Sequence, residues 1–159
     1  MDLIIRRAQP IDIPALLDLL VQVNAVHADG RPDLFARTTK YSAQELEALL
    51  ADKNRPVWVA AVEEDPERLV GSCYTVIQDH RPDRLMQDFK TLYIDDLCVD
   101  EDARGMHVGT ALYEFVRDWA HDEGFYNLTL NVWECNPGAR AFYEAMGLVP
   151  QKTCLEQIL

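Results

Sequence analysis

Residues 97–111 constrain the chain most. An apolar run, Leu97-Cys98-Val99, passes through Asp100-Glu101-Asp102-Ala103 into Arg104-Gly105-Met106-His107-Val108-Gly109-Thr110. From there Val108, Ala111, Leu112, Phe115, Val116 and Trp119 recur at i, i+3, i+4, i+7, i+8 and i+11, the period of an amphipathic helix. A strand that turns through glycines into a helix leaves the first N–H groups of that helix without partners, aimed at one spot. The helix dipole adds partial positive charge there, and such an entrance binds phosphate or diphosphate. Gly105 and Gly109 remove side chains that would block close approach, and Arg104 adds a permanent positive charge. A plain turn at Gly105 and close packing at Gly109 would produce the same letters.

The remaining segments complete a sheet-and-helix pattern. Leu3–Arg7 reads as a strand, and Asp12 caps a helix whose apolar face is Leu16, Leu17, Leu20 and Val23 and which fades near His27. Residues 28–41 lack periodicity and read as loop or irregular helix. Ser42 and Glu45 form a capping box before Leu46, Leu49 and Leu50, with an end near Asn54. Val57–Val62 and Leu69–Ile77 predict a hairpin of strands, and Leu92–Val99 and Leu128–Val132 predict two more. Gly124 stops the long helix. Asn136 caps a further helix with Pro137 at its first position and Gly147 at its stop. The tail, Gln151–Leu159, alternates weakly and is compatible with a last strand. The order predicts one α/β domain over residues 1–159, with a mixed sheet.

Composition narrows the function. The chain has 159 residues and a formal net charge of −12, from 15 Lys and Arg against 27 Asp and Glu. Such a field repels phosphate backbones and attracts cations, which disfavours nucleic-acid binding; acidity also serves plain solubility. No uninterrupted apolar run reaches the length of a membrane span, and the N-terminus lacks a signal-peptide layout, so no membrane association and a cytoplasmic location are expected. Cys73, Cys98, Cys135 and Cys154 form no CxxC pair, so neither a disulfide framework nor a metal site is expected.

Taken together, the segments resemble the GNAT superfamily of N-acetyltransferases. Arg104 and Gly109 fit its Arg/Gln-x-x-Gly-x-Gly/Ala loop, which lies between a strand and a long helix. Asn131 to Trp133, Asn136, Ala139, Phe142-Tyr143 and Gly147-Leu148 follow its second half, and Ile4-Ile5-Arg6-Arg7-Ala8 with Asp12 its start. The resemblance covers nearly the whole chain. Its motifs are loose singly and specific in joint order. It departs at one point: His107 stands where the motif has its first glycine, its side chain either turned outward or donating to phosphate.

The resemblance implies a mainly antiparallel mixed sheet of six or seven strands with about four helices, strands four and five splayed apart. It implies acetyl-CoA as cosubstrate and no metal. The diphosphate would lie on Arg104, Gly105, Met106, His107, Val108, Gly109 and Thr110. The pantetheine arm would run along Leu97, Cys98 and Val99, with Asn136, Ala139 and Tyr143 on its other side. The Leu97 amide would polarise the thioester carbonyl, and Tyr143 would protonate the departing thiolate unless it only packs on the sheet.

Asp95 and Asp96 resemble the acidic pair of polyamine acetyltransferases in this superfamily and are candidates to bind and deprotonate an amine; a solubilising edge charge is the other reading. Strict alternation would send them to opposite faces, so that only one reaches the acceptor. His27, with Arg31, Phe35 and Tyr41, borders the acceptor in the family, and Glu134 lies in a second bordering segment; a helix-end histidine and a solvated turn are the plainer readings of His27 and Glu134. The expected activity is acetylation of a small cationic amine. Acetylation of a protein N-terminus or lysine is the alternative enzyme, and a non-catalytic acyl-CoA-binding regulator the alternative class. A homodimer is compatible with the resemblance.

Overall fold

The computed structural model describes residues 1–159. Five strands form one sheet in chain order: β1 (Leu3–Arg7), β2 (Val57–Val62), β3 (Asp65–Asp79), β4 (Lys90–Val99) and β5 (Asn127–Leu130). All neighbours are antiparallel except β4 and β5, which are parallel. The helices are α1 (Ile13–Gly30), α2 (Ala43–Leu50), α3 (Val108–Asp122) and α4 (Pro137–Ala145). Short 3-10 turns precede α1 at Pro10–Asp12 and α3 at Glu101–Ala103.

The sheet is buried on both faces. In β2 the side chains of Trp58, Ala60 and Val62 enter one core with Val108, Leu112 and Val116 of α3. The alternate residues Val57, Val59 and Ala61 enter the other, with Leu16 and Leu20 of α1 and Leu46 of α2. A strand covered by helices on both sides reads as a continuous apolar run, and Val57–Val62 is one. Helix α3 sits directly on β3 at Gly71, where a Cβ would come within 2.8 Å of Leu112 and 3.0 Å of the Cys98 carbonyl oxygen.

Local sequence rules set several boundaries. The Ser42–Glu45 capping box forms in both directions, each bond 3.1 Å, although α2 ends at Leu50, short of Asn54. Gly124 and Gly147 take the left-handed conformation expected of helix stops. Other expectations are corrected. Asp12 does not cap α1: its carboxylate is buried, accepting two bonds from the Arg6 guanidinium at 2.7 and 2.9 Å and one from the Gln9 N–H at 2.7 Å. Helix α1 runs on past His27 to Gly30. With its preceding turn it is long and apolar enough to cross a membrane (Pro10–Gly30, mean hydropathy 1.3), yet Leu16, Leu19 and Leu20 are committed to the domain core.

The sheet has five strands, where six or seven were expected. Residues 149–159 form no strand and are exposed throughout. Weak alternation alone does not make a strand without a paired edge, and the tail is instead tied to the end of α1 by an Arg31–Glu156 ion pair.

Candidate active site

The sheet opens between β4 and β5. The two strands pair only over Thr91–Ile94 and Asn127–Leu130. Beyond Ile94, β4 keeps β3 on one side, through Asp96–Tyr74 to Val99–Gly71, and has no strand on the other. A β-bulge causes the divergence: Thr75 faces Ile94 and Tyr74 faces Asp96, so Asp95 is the extra residue. Bulges bend a strand and raise its local twist. This is why β5 stops at Leu130, two residues before the expected Val132: its partner has turned away.

The open edge of β4 leads to the entrance of α3. Leu97 and Val99 pack toward α3, and Cys98 toward α1. The N–H groups of Gly105, His107, Val108, Gly109 and Thr110 have no acceptor in the protein, whereas that of Met106 donates to the Ala103 carbonyl at 3.3 Å. Gly105 has φ of 79° and nothing within 4 Å of where its Cβ would stand. His107 has φ of 62° and ψ of 19°, the left-handed region that favours glycine, and its exposed ring makes no capping bond. The family's glycine here therefore answers a backbone need, which histidine meets at a cost. Arg104 is exposed. A cluster of free amides at a helix start beside an exposed arginine fits a diphosphate.

Tyr143, on α4, packs against the core that α3 shares with the sheet. Its ring stands edge-on to Tyr113, 6.4 Å between centroids, and to Phe142 at 5.1 Å. Burial, with Cys73, Cys98 and Asp96 nearby, pushes its phenol well above the ordinary range. A phenol is protonated at neutral pH even without that shift. Asn136 Oδ1 accepts from the Ala139 N–H at 3.2 Å and caps α4, which fixes the register of Tyr143.

The acid pair is arranged differently from the expectation. The bulge breaks the alternation, and the carboxylates of Asp95 and Asp96 converge on one ammonium: Lys40 Nζ donates to Asp95 at 2.9 Å and to Asp96 at 2.7 Å. Arg55 lies 3.9 Å from Asp95 and donates to the Tyr41 hydroxyl at 3.0 Å. The Asp96 side chain is 9% exposed and that of Asp95 22%. Burial raises the pKa of Asp96, against the pull of Lys40. Burial alone would lower that of Lys40, but its bonds to Asp96 and Asp95 hold it above the usual lysine range.

His27 makes no hydrogen bond to this cluster; a charge on it is the weakest of the influences on Asp96, and lowers that group's pKa. The His27 ring stands 5.1 Å from Phe35, which meets Trp133 edge-on at 5.1 Å. Glu134 lies apart. It is 92% exposed and pairs with Arg140 at 3.3 Å. Arg31 is taken up by Asp33 and Glu156. Sequence reasoning missed Lys40. The signal was available, since Lys40 precedes Tyr41 in the segment already placed at the acceptor and the chain has few cations to spare. The four cysteines are free, and no group of His, Cys, Asp and Glu could hold a metal.

A mixed sheet parted between its parallel strands, with an amide-rich helix entrance at one end of the gap and titratable groups at the other, defines an acyltransferase of α/β type. The sequence profile of the acetyltransferase (GNAT) family matches residues 23–148, and the chain belongs to that family; it is a GNAT-type N-acetyltransferase. Among solved structures, it is similar to a point mutant of the BH1408 protein from Bacillus halodurans, with 29% identity, TM-score 0.91, and 98% of this chain and 99% of that chain covered. It shares its fold with an aminoglycoside acetyltransferase from an uncultured soil metagenomic sample, in complex with sisomicin (19% identity, TM-score 0.74, 99% and 95% covered). It also shares it with glucosamine-6-phosphate N-acetyltransferase from Arabidopsis thaliana (20% identity, TM-score 0.72, 99% of each chain). A search of curated proteins gives no match.

Proposed function

We propose that the protein moves the acetyl group of acetyl-CoA to the primary amine of a small cationic acceptor by direct attack on the thioester. One observation carries this reading: the unpaired edge of β4 runs from the Asp95–Asp96 cluster to the free amides of α3. In this reading Gly105 and residues His107 to Thr110 hold the diphosphate, helped by Arg104, and the edge Leu97–Val99 aligns the pantetheine arm. The Leu97 amide then stabilises charge on the thioester oxygen.

The acceptor arrives as an ammonium at neutral pH and must lose a proton before it attacks. Asp95 and Asp96 bind it and pass that proton on to water. As the N–C bond forms and the C–S bond breaks, Tyr143 gives its proton to the thiolate and regains one from solvent. The acceptors named for two structural neighbours are small molecules, which supports a small acceptor. The same reading takes residues 1–159 as one domain working in the cytoplasm. It is tested by supplying purified protein with acetyl-CoA and a panel of mono-, di- and polyamines and detecting the released thiol. Release with cationic amines supports the reading; acetyl-CoA binding with no transfer to any amine would make the chain a regulator.

A further inference from the structure

We propose that Lys40 is a built-in occupant of the acceptor's ammonium place, so that the site opens by exchanging one cation for another and excludes uncharged acceptors. The inference rests on the reading of Asp95 and Asp96 as the acceptor site. The lysine side chain is itself a primary alkylammonium, and its Nζ is bound by both carboxylates at 2.9 and 2.7 Å. Those two acids are its only hydrogen-bond partners. The backbone around it is held separately. Asn24 Nδ2 donates to the carbonyls of Ala36 and Thr38, both at 2.8 Å, and Tyr41 packs on Tyr74 with ring centroids 6.2 Å apart. The loop can therefore stay in place while the Lys40 side chain, 39% exposed, swings out.

Charge decides what can make it swing. With Lys40 and Arg55 against Asp95 and Asp96, the cluster is neutral. An incoming ammonium that replaces Lys40 leaves the balance unchanged. A neutral molecule would leave Asp96, almost fully buried, without its cation, and a buried carboxylate stripped of its partner is strongly destabilised. A tethered competitor also acts at an effective concentration on the order of millimolar. A single-charge acceptor competes poorly against that. An acceptor with two or more positive charges gains additional attraction from the net charge of −12.

The test uses equilibrium binding without acetyl-CoA, so its failure is separable from failure of the transfer reaction. Calorimetry would compare 1,4-diaminobutane and 1,4-butanediol on wild type, K40M and K40M/D96N. The expected result is diamine binding tighter by about tenfold in K40M than in wild type, loss of that gain in K40M/D96N, and no diol binding to wild type. Diamine affinity in folded K40M that equals or falls below wild type, including no binding to either, overturns the proposal. Should K40M fail to fold, wild type decides: 1,4-diaminobutane must release the Lys40 side chain, read as a shift of the Lys40 Cε resonance in NMR spectra of protein carrying 13C-labelled lysine. An unshifted resonance at saturating diamine overturns it.

Discussion

The role proposed for Tyr143 rests on one oxygen atom. The phenol is buried, raised in pKa by that burial, and has no hydrogen-bond partner in the protein, while its ring packs on Tyr113 and Phe142. Tyr143→Phe keeps the packing and removes the proton. Turnover is expected to fall by ~10²-fold with little change in acetyl-CoA affinity; wild-type turnover would reduce Tyr143 to a packing residue. His107 carries a backbone cost. A left-handed L-residue costs roughly 1–2 kcal/mol, and glycine gives back about 0.5–1 kcal/mol of that in chain entropy. His107→Gly is therefore expected to stabilise the fold by about 0.5–1 kcal/mol, seen as a rise of about 2 °C in a thermal melt. A lower melting temperature would mean that the exposed imidazole makes a contribution the geometry does not reveal.

At the scale of an element, one extra residue in β4 has the largest consequence. The bulge at Asp95 turns the strand from β5, opens the gap and brings two carboxylates together that a regular strand would keep apart. This changes the outcome expected from substitution. In a regular strand only one of D95N and D96N would affect the acceptor. Here both carboxylates touch the same ammonium, so each variant is expected to raise the acceptor KM, D96N more because Asp96 is the more buried, with the acetyl-CoA KM unchanged. Steady-state kinetics with each substrate varied in turn checks this. An effect confined to one variant would mean that the pair separates when acceptor binds. The bulge was not legible in the sequence, because Ile94-Asp95-Asp96-Leu97 carries no glycine or proline to mark it, and register shifts are set by the partner strand.

Across the whole molecule, two aspartates, Asp12 buried and Asp96 partly so, respond to pH in opposite directions. Burial alone would raise the pKa of Asp12, but the Arg6 guanidinium and the Gln9 N–H hold it below the ordinary value. A depressed folded pKa contributes stability above the unfolded value near ~3.9, lost as pH falls through the folded one. Asp96 has a raised folded pKa, so its ionised form opposes folding near neutrality and acid relieves it. Asp12→Asn is therefore expected to lower the melting temperature at pH 7 and to flatten its decline below about pH 4. A melting curve unchanged at pH 7 would mean that the Arg6–Asp12 bond, which ties β1 to the start of α1, adds nothing.

Local and periodic features were decided within the sequence. The apolar run of β2, the helical period of α3, the Ser42–Glu45 box and the glycine stops at Gly124 and Gly147 depend on neighbours a few residues away. So does the helix entrance at Arg104–Thr110, which carries the family's signature. What needed the tertiary structure was whatever depends on partners distant in the chain. Arg6, not the first turn of α1, claims Asp12 because β1 lies beside it. The tail gained no strand because no edge pairs with it. Lys40 meets Asp95 and Asp96 across 55 and 56 residues, through a bulge that only the pairing of β3 with β4 specifies. The acetyltransferase fold was thus written in short-range pattern, whereas the charge balance around Asp95 and Asp96 arises from long-range convergence, which a linear reading cannot weigh.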